Sequence, residues 1–539
     1  MAIGTQGSYL LDVPLRQLPL AAALGAGALV FLVLAWHQDF LCDDAFISFR
    51  YARNWAQGLG LVFNPGESPP VEGYSNFLWV ALLTPLSAAG LDLGTCARVL
   101  SSLCGLALVV WVPLHARRRL ELDGLGTLAT ALFFASLPCT ALWATGGLAT
   151  MPFALALFGV YERLLGDPQR PRGLAAGGFG VVCVLLRADG FLWLGMLLGA
   201  AVLLAWMQRQ ERDGPSLVKP LLQASALIAV TFVAHVAWRS GYYGDWLPNT
   251  ARVKAGLSSA RLGRGFDYLA QWWLTLPGIA LVLLGSLRRF PREERSLALA
   301  SGALLLGGQA YAVWVGGDFM PFGRFLFAAV PFAALLFASL WKRLDARGPA
   351  LGAAAAAGLI ALGAAANFDL NAVPDSVRER FHFRLSSPTG WQSELAMRAG
   401  MVQRTAEWTE RGRALELAKR PGDSIVLKGI GAIGYYADVF VFDCHGLVSP
   451  EVLEATEPKV AASPGHDREV PTTFFLNQRP TLGGAFLVAA GAPPEAGLPP
   501  GFAQHPLAKL LRVERHPLPA GDHFPPNSEL RLLRFVRYP

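Results

Sequence analysis

Charge is what this sequence has least of. Only 16% of its 539 residues are Asp, Glu, Lys or Arg, against about a quarter in an ordinary soluble domain. Hydrophobic residues make up 53%, and the mean hydropathy is +0.39. A soluble fold cannot hide that much apolar surface, so a soluble globular protein is excluded. Cysteine is scarce as well. There are six, and four of them (Cys96, Cys104, Cys139, Cys183) sit in apolar segments. Their scatter offers no metal-ligand spacing, although Cys42 and Cys444 could both face an oxidising compartment. No small-residue cleavage site follows the first apolar run, 19–36, which therefore reads as a retained helix rather than a removed signal peptide.

The net charge of +7 stops pointing to nucleic acid once the charges are placed. Most Lys and Arg before residue 350 fall in short loops between apolar runs, the topology signal of a membrane protein. Runs near the roughly 20 residues that a bilayer core requires lie at 19–36, 95–115, 125–142, 148–165, 173–188, 190–207, 218–238, 268–287, 296–315, 323–341 and 349–367. That predicts about eleven transmembrane helices. With the N-terminus cytoplasmic, every cytoplasmic loop carries at least three positive charges, beginning with Arg117, Arg118 and Arg119. The run 76–90 breaks this pattern if counted as a span. It is short, with Pro70, Pro85 and Gly90 beside or within it, and reads as an interfacial helix on the outer surface. The odd number of spans then puts the tail outside. We expect a polytopic α-helical membrane domain over 1–368 and an extracytoplasmic α/β domain over 369–539, with strand patterns at 424–428, 438–443, 484–489 and 530–537.

On that topology the polar residues gather on one side. The first outer loop reads LCDDAFISFRYARNWAQGLGLVFNPGESPPVEGYSNF, and later outer turns give LLRADG, RSGYYGDWLPNTARVK and GGDFMPFGRF. An enzyme working at one membrane surface needs such a bias. Asp43 and Asp44 directly follow the first span, where paired carboxylates are costly unless solvated, paired or used. One of them can deprotonate an acceptor hydroxyl as it attacks a sugar carbon. Capping the helix that follows is the plainer role, and the two are compatible. Arg50 and Arg53 share a face beside Tyr51, for phosphate or for lipid headgroups. Glu72, with Tyr74 and Asn76, either holds an acceptor or closes a turn. Tyr243, Asn249 and Asp318 are further candidates for substrate contact, Asp318 alternatively positioning Arg324 or opening a turn. Arg187, Lys254 and Arg324, each at the outer end of a span, supply fixed positive charge for an anionic leaving group, or snorkel. His445 beside Asp443 either touches substrate or is structural.

The run GIGAIG at 429–434 matches G-x-G-x-x-G after the strand-like SIVLK. The next strand-like run starts five residues after Gly434, which leaves no room for the helix a dinucleotide site requires, and a nucleotide would be on the wrong side of the membrane.

The segment DDAFISFRYARNWAQGLGLVFNPGESPPVEGYSNFLW resembles the first outer loop of GT-C membrane glycosyltransferases, above all the mycobacterial terminal β-(1→2)-arabinofuranosyltransferase family. The likeness continues in LLRADG, YYGDWLPNTARVK, GGDFMPFGRF and GIGAIGYYADVFVFDCHGLVSP. The resemblance implies a sugar, arabinofuranose first, carried on a polyprenyl monophosphate. It implies transfer with inversion outside the bacterial cytoplasmic membrane, to a cell-envelope glycan, glycolipid or protein acceptor. It makes Asp43 the catalytic base with Asp44 in support, and Arg187, Lys254 and Arg324 ligands of the donor phosphate. Relatives often read G-L-E-T where this chain has Gly147, Leu148, Ala149 and Thr150, so the contact of that carboxylate is missing here. No cofactor is implied with certainty. A divalent cation, Mg²⁺ or Ca²⁺, is compatible with acids near a lipid phosphate, though no ligand set is complete. The alternative of another class is a transporter or flippase of a lipid-linked saccharide. Against it stand the lack of an inverted repeat and of an ionisable pair at mid-membrane.

Overall fold

The computed structural model describes residues 16–211, 216–253, 258–287, 290–381, 391–458, 464–498, 506–519 and 524–538. Two compact units emerge, each assembled from three stretches. The first comprises Met1–Phe40, Ala97–His235 and Leu257–Met397; the second comprises Leu41–Cys96, Val236–Gly256 and Arg398–Pro539. The units thus cut across the boundary at 368, because residues 41–96 and 236–256 group with the tail.

The first unit is helical throughout its described residues. Together with stretches that run on into the second unit, seven helices are long and apolar enough to cross a membrane: Leu20–His37, Leu93–Leu120, Gly190–Glu211, Val218–Tyr243, Arg292–Trp314, Phe327–Asp345 and Pro349–Phe368. Counting each of two bent pairs as one span gives up to nine among the described residues. The other two expected spans form the shorter helices Thr150–Tyr161 and Gly173–Leu186. Proline accounts for both bends, since it has no N–H and disfavours helical backbone before it. Pro138 splits the 125–142 run into Gly124–Ser136 and Pro138–Thr145 at 57°, and Pro277 splits Ser259–Thr275 from Pro277–Ser286 at 92°. The break leaves the Ser136 carbonyl without its helical partner, and the Asn367 side chain donates to it at 2.7 Å. Where Leu20–His37 meets Gly124–Ser136, a Cβ on Gly27 would lie 2.7 Å from the Ala131 Cβ, so the small residue sets that close packing. Large apolar side chains face outward along these helices: Trp36 is 83% exposed, and Leu29, Val233 and Leu306 are each more than 60% exposed. The chain is a multi-pass membrane protein.

Phe77–Ala88, read as interfacial, is a separate helix of 12 residues. At 1.5 Å per residue it spans about 18 Å, too short for a hydrocarbon core of about 30 Å.

The second unit is built on a five-stranded mixed sheet in the order β2-β1-β3-β5-β4. The strands are β1 (Ser424–Leu427), β2 (Phe440–Asp443), β3 (Leu482–Ala489), β4 (Leu511–Pro517) and β5 (Ser528–Phe535). β1 runs parallel to β2 and β3, while β5 is antiparallel to β3 and β4. The α/β tail is therefore as expected in kind, with two additions, one of them the strand β4. GIGAIG does open a helix, Gly431–Ala437, which makes a very short right-of-way between the parallel β1 and β2. The free edge of β2 is covered by Asn64, from the segment that precedes Phe77–Ala88. The Asn64 side chain pairs with both the N–H and the C=O of Val441 at 3.0 Å, as a neighbouring strand would.

Candidate active site

The helix Asp43–Ala56 begins after Cys42 with no side-chain cap. Two acids in its first turn suit the positive end of a helix dipole. Asp43 does not cap its own helix, however. Its carboxylate reaches the crossover helix, where Oδ1 accepts from the Ala432 N–H at 2.6 Å and Oδ2 from the Gly431 N–H at 3.2 Å. Burial pushes the carboxyl up to about 7, Asp44 adds to the rise, and the two amides pull the other way. Asp44 lies half-buried beside it.

Arg50 and Arg53 share a face, as their spacing predicts, but that face meets carbonyls. Buried Arg50 donates to Phe63 O at 2.8 Å, Gly434 O at 2.7 Å and Val439 O at 2.7 Å. Arg53 donates to Tyr435 O and to the Asp438 carboxylate, both at 2.6 Å. Lys419 donates to Ala437 O and Asp438 O. A helix of seven residues is too short to be stable alone and leaves orphan groups at both ends. Here Asp43 serves its amides, while Arg50, Arg53 and Lys419 serve its last carbonyls. Anion and cations match its dipole. The two arginines are thus committed to the crossover rather than to phosphate.

The other first-loop candidates brace the same unit. The Tyr51 hydroxyl donates to Val71 O at 2.6 Å and accepts from Gly73 N at 2.8 Å. Tyr74 and Tyr243 meet hydroxyl to hydroxyl at 3.2 Å, and Tyr243 donates to Leu61 O at 2.8 Å. Asn76 exchanges hydrogen bonds with Ser48. Asn249 donates to Gly446 O and Leu447 O at 2.7 and 2.8 Å. Its own N–H reaches Glu72 O. His445 donates from Nδ1–H to Arg468 O, 2.9 Å away, and packs edge-on against His466. The Asp443 carboxylate, raised by burial, accepts from the His445, Leu447 and Val448 amides and shapes that loop.

Glu72 forms an ion pair with Arg239, Oε2 to Nε at 2.5 Å, with side chains only 2% and 8% exposed. Burial pushes Glu72 up to about 7 while Arg239 pulls it down. Removing one partner of a buried pair strands the other charge. We therefore expect Glu72→Gln to lower the stability of the protein in detergent by about 3–5 kcal/mol. Thermal unfolding checks this: a loss below about 1 kcal/mol would give the pair the weight of an exposed bridge.

The first unit holds the second cluster. Arg187 follows the helix Gly173–Leu186 in extended backbone, φ −150° and ψ 137°. Its Nε and Nη2 grip the Asp189 carboxylate at 2.7 and 2.6 Å. Arg324 grips Asp318 the same way, at 2.7 and 3.0 Å. The guanidinium carbons of Arg187 and Arg324 lie 5.8 and 5.2 Å from the centre of the Phe325 ring, and Arg187 also lies 5.3 Å from Phe153. Two forked ion pairs thus share one aromatic floor. The forks fix the guanidinium planes, which suits oxyanion recognition. Asp318 holds Arg324, one of the three roles expected of it. Lys254 lies outside the described residues. Ala149 is buried at the start of the helix Thr150–Tyr161 and caps it with no side chain.

Sequence reasoning missed the Gly431 and Ala432 amides, since backbone donors leave no side-chain signature. It also passed over Glu67, which burial, then the charge of Glu451, pushes up to about 7. The described residues contain no group of three or more His, Cys, Asp and Glu arranged to hold a metal ion. None of the six cysteines, all of them among the described residues, is in a disulfide.

Multi-pass helices followed by an α/β tail make up the fold of this chain. Two solved structures of ArnT from Cupriavidus metallidurans share it. The one bound to undecaprenyl phosphate has a TM-score of 0.52 at 14% identity and the apo one 0.51 at 15%, each covering 94% of this chain and 97% of the other. Among curated proteins, the terminal β-(1→2)-arabinofuranosyltransferase of Corynebacterium glutamicum is 28% identical over 364 residues, 58% of this chain and 50% of that protein. The protein of the same name from Mycobacterium tuberculosis is 28% identical over 298 residues, 50% of this chain and 44% of that one. This chain spans about half the length of the curated relatives it matches. Residues 395–495 match a family described as a domain of unknown function, DUF8728.

Proposed function

We propose that this chain is an inverting glycosyltransferase of the bacterial inner membrane. It moves a sugar, arabinofuranose first, from a polyprenyl-phosphate donor to a cell-envelope glycan, glycolipid or protein on the extracytoplasmic side. The observation that carries the reading is the Asp43 carboxylate, pushed up to about 7 and held by two amides at the start of the outer loop. A base with a pKa near the working pH combines a useful deprotonated fraction with strong proton affinity. Asp43 takes the proton of the acceptor hydroxyl, with Asp44 beside it. The oxygen bonds to the anomeric carbon as the bond from that carbon to the phosphate oxygen breaks on the opposite face. One displacement inverts the configuration. The polyprenyl phosphate leaves with its electron pair, and Arg187 and Arg324, already oriented by Asp189 and Asp318, are the groups suited to stabilise it. The names of the two arabinofuranosyltransferases and the undecaprenyl phosphate bound to ArnT support the sugar and the lipid.

The test uses the full chain purified in detergent with a panel of synthetic polyprenyl-phosphate sugars and an arabinofuranoside acceptor. Release of polyprenyl phosphate that requires acceptor is the expected result. Donor binding with no release under any acceptor would overturn the transferase and favour a carrier of lipid-linked saccharide.

A further inference from the structure

The GIGAIG run is excluded as a nucleotide site, yet three of its residues touch the acidic helix. Gly434 O accepts from Arg50, and the Gly431 and Ala432 amides donate to Asp43. The glycine at 431 is required by space rather than by backbone freedom. A Cβ built there would overlap the Asp43 carbonyl oxygen and lie 2.7 Å from both Cγ and Oδ1 of its carboxylate. Real Cβ contacts essentially never fall below 3.0 Å, so any residue but glycine must shift the Asp43 backbone, its carboxylate or both. The Ala432 N–H, at 2.6 Å, fixes the orientation of what remains. An ionised carboxylate has about four lone-pair positions, and the two amides occupy one on each oxygen. The other two stay available in a defined direction.

We propose that Gly431 and the Ala432 amide are positioning residues for Asp43, the glycine leaving room for the carboxylate and the amide aiming it at the acceptor hydroxyl. The proposal rests on Asp43 being the base. It gives the segment 395–495 a task within the reaction, namely to hold a carboxylate that the first outer loop supplies. The same contacts also close the end of a short helix, and that purely structural role predicts a different outcome. It would change how much protein folds, and leave the rate per folded molecule and its pH dependence alone.

Gly431→Ala, Ala432→Pro and Asp43→Asn are compared in the full chain, using polyprenyl-phosphate arabinofuranose and an arabinofuranoside acceptor. Proline is tolerated in the first turn of a helix; Ala432→Pro removes the donor and sets its ring against the Asp43 carboxylate, a second route to the same misplacement if Gly431→Ala fails to fold. For each positioning variant we expect kcat per folded molecule to fall about 10²-fold, as a misplacement of about 1 Å does, with the KM for the donor unchanged. Loss of an amide donor also moves the acidic limb of the rate profile upward from about 7. Asp44 is the neighbouring charge and is untouched. If Asp43→Asn is inactive while both positioning variants keep the wild-type kcat and limb, the positioning role falls and the base stands. If Asp43→Asn is fully active, the base falls and takes the positioning role with it.

Discussion

Replacing Asp43 by Asn is expected to cut turnover about 10²–10⁴-fold while the donor still binds. Asn keeps the size of the side chain and one carbonyl oxygen, which can still accept from Ala432. Its amide group would face the Gly431 N–H, donor against donor, at a cost of about 1 kcal/mol in stability. The fold survives that, so the kinetic effect is readable. General-base catalysis is worth about 10²–10⁴-fold, and we expect a fall in kcat in that range. The wild-type profile has a defined sign. Only the deprotonated carboxylate can accept a proton, so the rate rises with pH through about 7 and levels off above it. Burial is the main cause of that position. An acidic limb near the ordinary carboxylate range would mean that the working base is a more solvated group. Full activity in Asp43→Asn would sink the assignment outright.

The second large effect lies at Arg324. A guanidinium that stabilises a leaving phosphate is worth about 10²–10³-fold in kcat, by analogy with a single oxyanion donor. Arg324→Met should therefore lose that much activity and bind polyprenyl phosphate more weakly. Arg324→Lys should recover little, because an ammonium cannot make the two-point grip on Asp318 that fixes the plane. Removing the cation also leaves Asp318, 2% exposed, without its fork, so a melting curve must accompany the kinetics. An arginine that merely reaches toward water would lose stability and keep its kcat, and that result would remove Arg324 from the mechanism.

Much of this was legible in the residues. Low charge and long apolar runs implied a membrane domain, and seven of the eleven runs are helices of spanning length. Two others carried their own warning in Pro138 and Pro277. A window that averages hydropathy passes over a proline that a backbone cannot ignore. The acids at 43 and 44 stood out because carboxylates beside an apolar run need a reason. What the residues could not show was the destination of a donor. The spacing of Arg50 and Arg53 gives a shared face, and nothing local says that carbonyls 384 and 382 residues away will fill it. GIGAIG misled for a related reason. Counting residues between strands left no room for a long helix, and a seven-residue helix becomes stable only when another element satisfies both its ends. β4, LRVERHP, escaped notice because its alternation is between half-exposed and exposed residues at a sheet edge.

The hydrogen bonds of Asp43 span 388 and 389 residues of chain. At a synthesis rate of about 5–20 residues per second, the carboxylate therefore waits roughly 20–80 s for the amides that hold it. During that interval the growing polypeptide already presents its anionic leading helix and lacks the element that aims it. On the proposed reading, chains that stop short of Gly431 lack these amides and are expected to show no transfer.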